Sequence, residues 1–238
     1  MNKQVRFLPK ILAMSVLAAC AMPAFAQSAG SNIVGIGWFH LTPNDSSDGL
    51  TSPRGYDANA HSAVSNADTV GLSFTRFFTD NIALTADVGI PPTFNLNGTG
   101  TLAAYGQIGS AKQWSPALVM KYYFGEATSK FRPFLGAGVS YIWYSGVSLN
   151  STFQNVAAGG SGTADASLSN SWAPVLNAGA TYNFDDKWSL NVSVSYIPLK
   201  TDAVITAHPS AAPSVSLISK TSIAINPLVT FLSVGYKF

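Results

Sequence analysis

Cysteine, charge and long hydrophobic runs are all scarce in this chain. Its 238 residues include one cysteine, Cys20, and only 10% of the side chains are charged. No run of about 18 consecutive apolar residues occurs, which excludes a transmembrane helix. If Cys20 is removed with the N-terminal segment, the remaining chain has no disulfide, no thiol redox chemistry and no cysteine-ligated metal.

Motifs that carry chemistry are missing as well. His40, His61 and His208 are the three histidines, and they lack the spacing that a metal site needs. No serine or acidic residue stands in a recognisable catalytic arrangement with them. We therefore predict that the protein is not an enzyme, has no metal site and uses no cofactor.

The N-terminus has the pattern of an export signal. It carries three cations, Lys3, Arg6 and Lys10. The short apolar run Ile11–Ala19 follows, and Ala24–Ala26 is a small-x-small cleavage site. We predict that residues 1–26 are a cleaved signal peptide and that residues 27–238 form a single domain. In the alternative interpretation, Leu17–Cys20 resembles a lipobox and Cys20 is acylated instead of removed.

Composition narrows the class of the exported chain. Cleavage removes three of the thirteen basic residues and none of the eleven acidic ones, which leaves a formal net charge of −1. Such a chain has no basic patch for nucleic acid, so we expect no nucleic-acid partner. An exported chain with little charge, many aromatic residues and no helical span is either a secreted β-sandwich or a membrane β-barrel.

Apolar and polar residues alternate in eight segments. The C-terminal segment has Leu232, Val234 and Tyr236 on one face and Ser233 and Gly235 on the other, which is the period of a β-strand. The predicted strands are approximately Ile33–Thr42, Thr69–Phe78, Ile82–Ile90, Trp114–Phe124, Phe131–Ser145, Trp172–Phe184, Trp188–Tyr196 and Leu228–Phe238.

The connections between these strands alternate between long and short. Short turns are predicted at Thr79–Asn81, Gly125–Lys130 and Asp185–Asp186, and the long polar connections include Gly146–Ser171, which we predict to be a mobile loop. This rhythm is typical of outer-membrane barrels, in which short turns face the periplasm and long loops face outward. We predict an all-β fold, an eight-stranded antiparallel transmembrane β-barrel with short periplasmic turns and long extracellular loops.

Large aromatic residues cluster at both ends of the predicted strands. The loop ends carry Trp38, Trp114, Trp143 and Trp172, and the turn ends carry Tyr122, Trp188, Tyr236 and Phe238. Two such groups match the aromatic belts that contact the two membrane interfaces, although aromatic residues are also common in strands generally. A terminal aromatic residue such as Phe238 resembles the sorting signal that the barrel assembly machinery reads, which makes that machinery an expected partner.

Several blocks resemble one family closely. Tyr123–Gly138, Thr79–Ile82, Trp188–Tyr196 and Gly235–Phe238 are similar to the turns and strands of the OmpW family of outer-membrane proteins, which includes relatives tied to alkane uptake. The resemblance implies a narrow, largely apolar lumen in the outer membrane of a Gram-negative cell. It also implies passage of small hydrophobic molecules, with outer-membrane lipids and lipopolysaccharide as surroundings.

One departure from the family pattern concerns the lumen. The resemblance places Asp87 and Ser195 where relatives carry a bulky apolar pair that narrows the channel, so these residues are the candidate constriction. Alternation turns both side chains inward, together with the candidate lumen charges Lys121 and Arg132. Because buried charges are usually paired, we expect Asp87 to pair with one of these cations. A lumen closed by that pair favours the alternative function, a structural or interaction barrel that binds surfaces through its loops.

Overall fold

The computed structural model describes residues 27–238. The predicted signal peptide and Cys20 lie outside the described residues. Within this range, no helix has both the length and the apolar character needed to cross a membrane.

Strands dominate the described chain. In chain order they are β1 (Asn32–Thr42), β2 (Ser46–Ser47), β3 (Leu50–Ser52), β4 (Gly55–Asp57), β5 (Ala60–Val64), β6 (Ala67–Phe77), β7 (Ile82–Gly89), β8 (Thr93–Gly100), β9 (Gln107–Trp114), β10 (Ala117–Tyr123), β11 (Phe131–Leu149), β12 (Gly162–Leu168), β13 (Ser171–Asn183), β14 (Trp188–Tyr196), β15 (Lys200–Pro209), β16 (Leu217–Ala224) and β17 (Leu228–Lys237). One α-helix, α1 (Ser151–Ala157), and a 3-10 helix at Ala103–Tyr105 complete the elements.

Eight of these strands form a closed antiparallel barrel, as predicted. Around the wall the order is β1, β6, β7, β10, β11, β13, β14 and β17, and β17 pairs with β1 to close the ring. The closing register joins Val34 to Tyr236 and His40 to Thr230. Because β17 pairs with β1, neither of these terminal strands exposes an unpaired edge to lipid, which could not satisfy its backbone hydrogen-bonding groups.

The alternation in sequence produces the two faces of the wall. On β6, Val70, Leu72 and Phe74 are exposed on the outer face, while Gly71 and Thr75 are buried on the inner face. Small inner residues let an eight-stranded barrel close around a narrow interior. Apolar side chains that point outward suit hydrocarbon as the surrounding solvent.

The long connections between the wall strands are present as predicted, and they are ordered. They form a strand-rich extension, here called the head, which comprises β2 to β5, β8, β9, β12, β15, β16, α1 and the outer part of β11. The opposite end of the barrel, with the three short turns, is called the turn end.

Two boundary predictions were wrong. Gly146–Ser171 holds α1 and β12 instead of a mobile loop, because Asn150 caps α1 by accepting from the Phe153 amide and Phe153 is buried in a cluster with Ile108 and Ile205. Trp114 belongs to β9, and the fourth wall strand begins only at Ala117. Pro116, which has no backbone N–H, separates the two strands.

Candidate functional site

The head half of the barrel interior contains a cavity, here called the lumen cavity. All eight wall strands contribute to its lining, which is mostly apolar and includes Phe39, Val119, Ile142, Val175 and Val229. The volume open to the centre of a water-sized sphere is about 70 Å³. Because a water molecule needs roughly 10–15 Å³ on this measure, the cavity has room for several waters or one small solute.

The predicted constriction residues both lie in this cavity. Asp87 on β7 and Ser195 on β14 line it, and Asn177 donates a hydrogen bond of 2.9 Å to the Ser195 hydroxyl. The structure therefore brings the two residues to one space, while their role in narrowing the channel stays a prediction.

The predicted ion pair of Asp87 is not formed. Among residues 27–238, no side-chain nitrogen of Lys121 or Arg132 lies within 4.0 Å of a carboxylate oxygen of Asp87. The register explains this, because Asp87 is opposite Ala117 whereas Lys121 is four residues further toward the turn end. Four residues of strand separate the two positions by about 13 Å, more than these side chains span in direct contact.

The two lumen cations have other partners. The Lys121 ammonium lies 4.8 Å from the centre of the Phe134 ring, a cation–π contact inside the barrel. The Arg132 guanidinium is fully buried and donates to the backbone carbonyls of Gln27, at 2.8 Å, and Asp80, at 2.6 Å. Arg132 thus anchors backbone at the turn end instead of pairing in the lumen.

The turn end of the lumen is filled. Phe77, Tyr123 and Phe134 are buried there, and the Tyr123 ring centre lies 4.9 Å from each of the other two. Gln27–Ser31 lies across the same end, since Arg132 from β11 reaches Gln27 although β11 stands diametrically opposite β1 in the ring. Backbone hydrogen bonds between Gly30 or Ser31 and Phe77 hold this segment. Together these groups close the axial route at the turn end.

The wall itself is interrupted at the level of the lumen cavity, a feature here called the wall opening. The ladder between β7 and β10 ends at the pair Asp87 and Ala117. The next hydrogen bond between the segments that follow β7 and precede β10 is donated by the backbone N–H of Gln113 to the Pro92 carbonyl oxygen, at 3.1 Å. Pro91, Pro92 and Pro116 have no N–H to continue the ladder.

The wall opening lies beside the lumen cavity. Val88 and Ile90 belong to the lipid-facing set, with 48% and 68% of their surfaces exposed, and both also line the lumen cavity. The cavity therefore borders the stretch of wall in which the ladder between β7 and β10 is interrupted.

Two further cavities lie above, inside the head. The head cavity, of about 50 Å³, is lined mainly by apolar side chains such as Leu96, Ile108 and Phe153. A connecting cavity of about 20 Å³ shares Leu96 with the head cavity and Gln113 with the lumen cavity. The three cavities therefore lie in series from the head to the wall opening.

The predicted belt residues occupy the two ends of the wall. Near the head, the Trp114 and Trp143 rings stack with centres 5.6 Å apart, and Trp38 and Trp172 are exposed on the outer face. Near the turn end, Trp188 contacts Tyr236 at 4.9 Å, and Tyr122 and Phe238 are exposed. Contact of these rings with membrane interfaces stays a prediction.

Three features of the site are not predicted by the sequence patterns. Gln113 lies just outside the predicted strand Trp114–Phe124, Gln27 is only the first residue of the predicted domain, and strand alternation does not indicate the wall opening. The signal for the opening was present in the proline pair Pro91-Pro92 and in Pro116, which end the ladder. No comparable signal marks a metal site, and no group of three or more His, Cys, Asp or Glu in the described range could hold a metal ion.

Comparison with known proteins gives one consistent result. A sequence model described as the OmpW family matches residues 28–238. Outer membrane protein W of Vibrio cholerae serotype O1 is 35% identical over 230 residues, which cover 96% of this chain and 98% of that protein. Outer membrane protein AlkL of Ectopseudomonas oleovorans is 25% identical over 245 residues, covering 100% and 98%. The crystal structure of the outer membrane protein OprG from Pseudomonas aeruginosa matches with a TM-score of 0.79 at 27% identity, covering 90% of this chain and 98% of that one.

Proposed function

The chain belongs to the OmpW family of outer-membrane proteins, and on that premise we propose that it passes small hydrophobic molecules into the outer membrane sideways, through the wall opening. The solute enters the head cavity, moves through the connecting cavity into the lumen cavity, and leaves between β7 and β10. The observation that carries the proposal is that lipid-facing Val88 and Ile90 line the lumen cavity.

The path has the surface that a hydrophobic solute needs. Apolar side chains line most of the head cavity and the lumen cavity, so a solute keeps a nonpolar environment after leaving water. Each buried CH₂ group favours the apolar environment by about 0.8 kcal/mol. The family resemblance, with its relatives tied to alkane uptake, agrees with this class of solute.

A sideways exit follows from the closed turn end. The Phe77, Tyr123 and Phe134 rings and the Gln27–Ser31 segment block the axial route, whereas the wall opening leads to hydrocarbon. A hydrophobic solute that left axially would re-enter water in the periplasm and lose the stabilisation it had gained. The sideways route avoids that step, and modest binding in a small cavity still lets the solute leave.

The alternative function depended on a lumen closed by paired charges. Asp87 forms no ion pair with Lys121 or Arg132, so that condition is not met. An ordered head also offers a binding surface, but nothing in its geometry selects a partner.

The test uses vesicles with lipopolysaccharide in the outer leaflet, with and without the purified barrel. Naphthalene is added outside, and its arrival in the membrane interior is followed by stopped-flow fluorescence. We expect faster uptake with the barrel than in protein-free vesicles. Equal rates in the two preparations would contradict the proposed function.

A further inference from the structure

Five polar residues interrupt the apolar lining of the lumen cavity. They are Thr69 on β6, Asp87 on β7, Gln113 on β9, Ser115 and, on β14, Ser195. The Thr69 hydroxyl already donates to the Ile90 carbonyl, at 2.6 Å. A site built only for hydrocarbons has no need of them, because each polar group facing an apolar solute loses its hydration.

Asp87, Gln113 and Ser195 offer hydrogen-bonding groups to the cavity. Within residues 27–238, no hydrogen bond is seen for the Asp87 carboxylate, which is only partly buried. The Ser195 hydroxyl accepts from Asn177, which leaves its own proton free to be donated. Water or a ligand in the cavity can therefore bond to these groups.

The chemistry of these groups favours a ligand that both donates and accepts hydrogen bonds. The Asp87 carboxyl group offers acceptor oxygens, whereas the Gln113 amide and the Ser195 hydroxyl offer donors. An alcohol or phenol supplies a donor for Asp87 and an acceptor for Gln113 or Ser195 through one oxygen atom.

We infer that the lumen cavity selects hydrophobic molecules that carry one hydroxyl group. The apolar body contacts residues such as Val119 and Val175, while the hydroxyl donates to Asp87 and accepts from Gln113 or Ser195. Pockets for small ligands commonly combine a mainly apolar lining with a few polar groups that fix orientation. This inference rests on the proposed function and names the solutes that it favours.

The position of Asp87 makes it a specificity-determining residue at the exit. It is the last residue of β7 that pairs with β10 before the wall opening, and Val88 is the next residue along the chain. A hydroxyl bound there holds the solute with its apolar body beside the opening. The same contact disfavours an unsubstituted hydrocarbon, which can form no hydrogen bond with Asp87, Gln113 or Ser195.

The experiment compares 1-naphthol with naphthalene, because the two share one ring system and differ by a single hydroxyl. Uptake is measured in the lipopolysaccharide vesicles described above, and each rate is divided by the rate in protein-free vesicles. We expect the barrel to favour 1-naphthol by about tenfold or more, the range for a hydrogen bond to a charged group. In Asp87→Leu this ratio is expected to fall to about one.

Ser193→Ala is the matched control. Ser193 lies on β14 two residues from Ser195 and faces inward, but it does not line the lumen cavity, so the ratio should keep its wild-type value. A difference in migration between unheated and heated samples in gel electrophoresis shows that each variant has folded. If Asp87→Leu does not fold, Gln113→Leu replaces it, and its ratio should fall as well.

The outcomes separate the two proposals. Uptake of naphthalene with a ratio near one in the wild type, or an equal ratio in wild type and Asp87→Leu, overturns the hydroxyl selectivity and leaves the proposed function standing. Acceleration of neither compound overturns the proposed function. A preference for 1-naphthol that Asp87→Leu removes and Ser193→Ala retains supports the inference.

Discussion

Replacing Gly89 with phenylalanine should block the lumen cavity at the wall opening. Gly89 lines the cavity, and a Cβ added there would lie 3.5 Å from Thr69 Cγ2, 3.6 Å from the Val70 carbonyl oxygen and 3.8 Å from Phe39 Cδ2. These are ordinary van der Waals distances, so the backbone tolerates a side chain. Because period-two alternation puts Gly89 on the same face as Asp87, a larger side chain extends into the cavity.

The size of the effect follows from the cavity volume. The lumen cavity, of about 70 Å³, holds about five water-sized spheres, and a phenyl ring displaces nearly all of them. A solute that loses the burial of only two carbons, about 1.6 kcal/mol, binds more than about tenfold more weakly. We therefore expect naphthalene uptake through Gly89→Phe to fall by at least about tenfold.

Uptake into lipopolysaccharide vesicles measures this change, with Gly89→Ala as the matched control. Alanine adds only the Cβ that the site accommodates, so its rate should stay within about twofold of the wild type. A folded Gly89→Phe barrel that takes up naphthalene at the wild-type rate would refute the reasoning, because the solute would then not pass this point.

Other parts of the structure give three further predictions. Arg132→Met should release the segment that begins at Gln27, because it removes the hydrogen bond from Arg132 to the Gln27 carbonyl. A thiol introduced by Gln27→Cys should then react with a maleimide about tenfold faster or more. An unchanged rate would show that Arg132 does not hold this segment. Phe153→Ala should destabilise the head by about 3–5 kcal/mol, seen as faster proteolysis at α1 with the barrel intact, whereas unchanged proteolysis would count against its packing role. Backbone N–H groups of Trp188 and Lys187 donate to Asp185 and lower its pKa, so its stabilisation of the turn is present at neutral pH and lost as pH falls through that lowered pKa. A carboxyl titration by NMR should give a midpoint below 3.8, and a midpoint at or above it would contradict this account.

The wall could be predicted because its strands obey a strict local rule. Trp188–Tyr196 was predicted with the bounds that β14 has, since apolar and small polar residues alternate there without a break. The pairing of the C-terminal strand with the first followed from the requirement that a barrel close.

The head could not be predicted because its order depends on distant partners. The segment around β12 is rich in glycine, serine and alanine, which locally resembles a flexible linker. Its order comes from pairing with β15, about forty residues later, and from the burial of Phe153. Neither contact leaves a periodic trace in the sequence.

Within the lumen, alternation predicted which face of the wall a residue occupies, but not its position along the barrel axis. Asp87 and Lys121 both turn inward as expected, yet the register separates them and no ion pair forms. The wall opening likewise depends on how β7 and β10 are aligned, because the register that pairs Asp87 with Ala117 brings Pro116 opposite Val88, where it cannot donate to the ladder.

The most direct test of the account is whether a hydrophobic solute occupies the lumen cavity. Methyl-labelled, otherwise deuterated protein in nanodiscs of deuterated lipid can be examined for NOEs to protonated naphthalene. The account predicts NOEs to the methyl groups of Val119 and Val175 inside the barrel and to Val88 at the wall opening. NOEs confined to lipid-facing residues such as Val192, with none to Val119 or Val175, would contradict it.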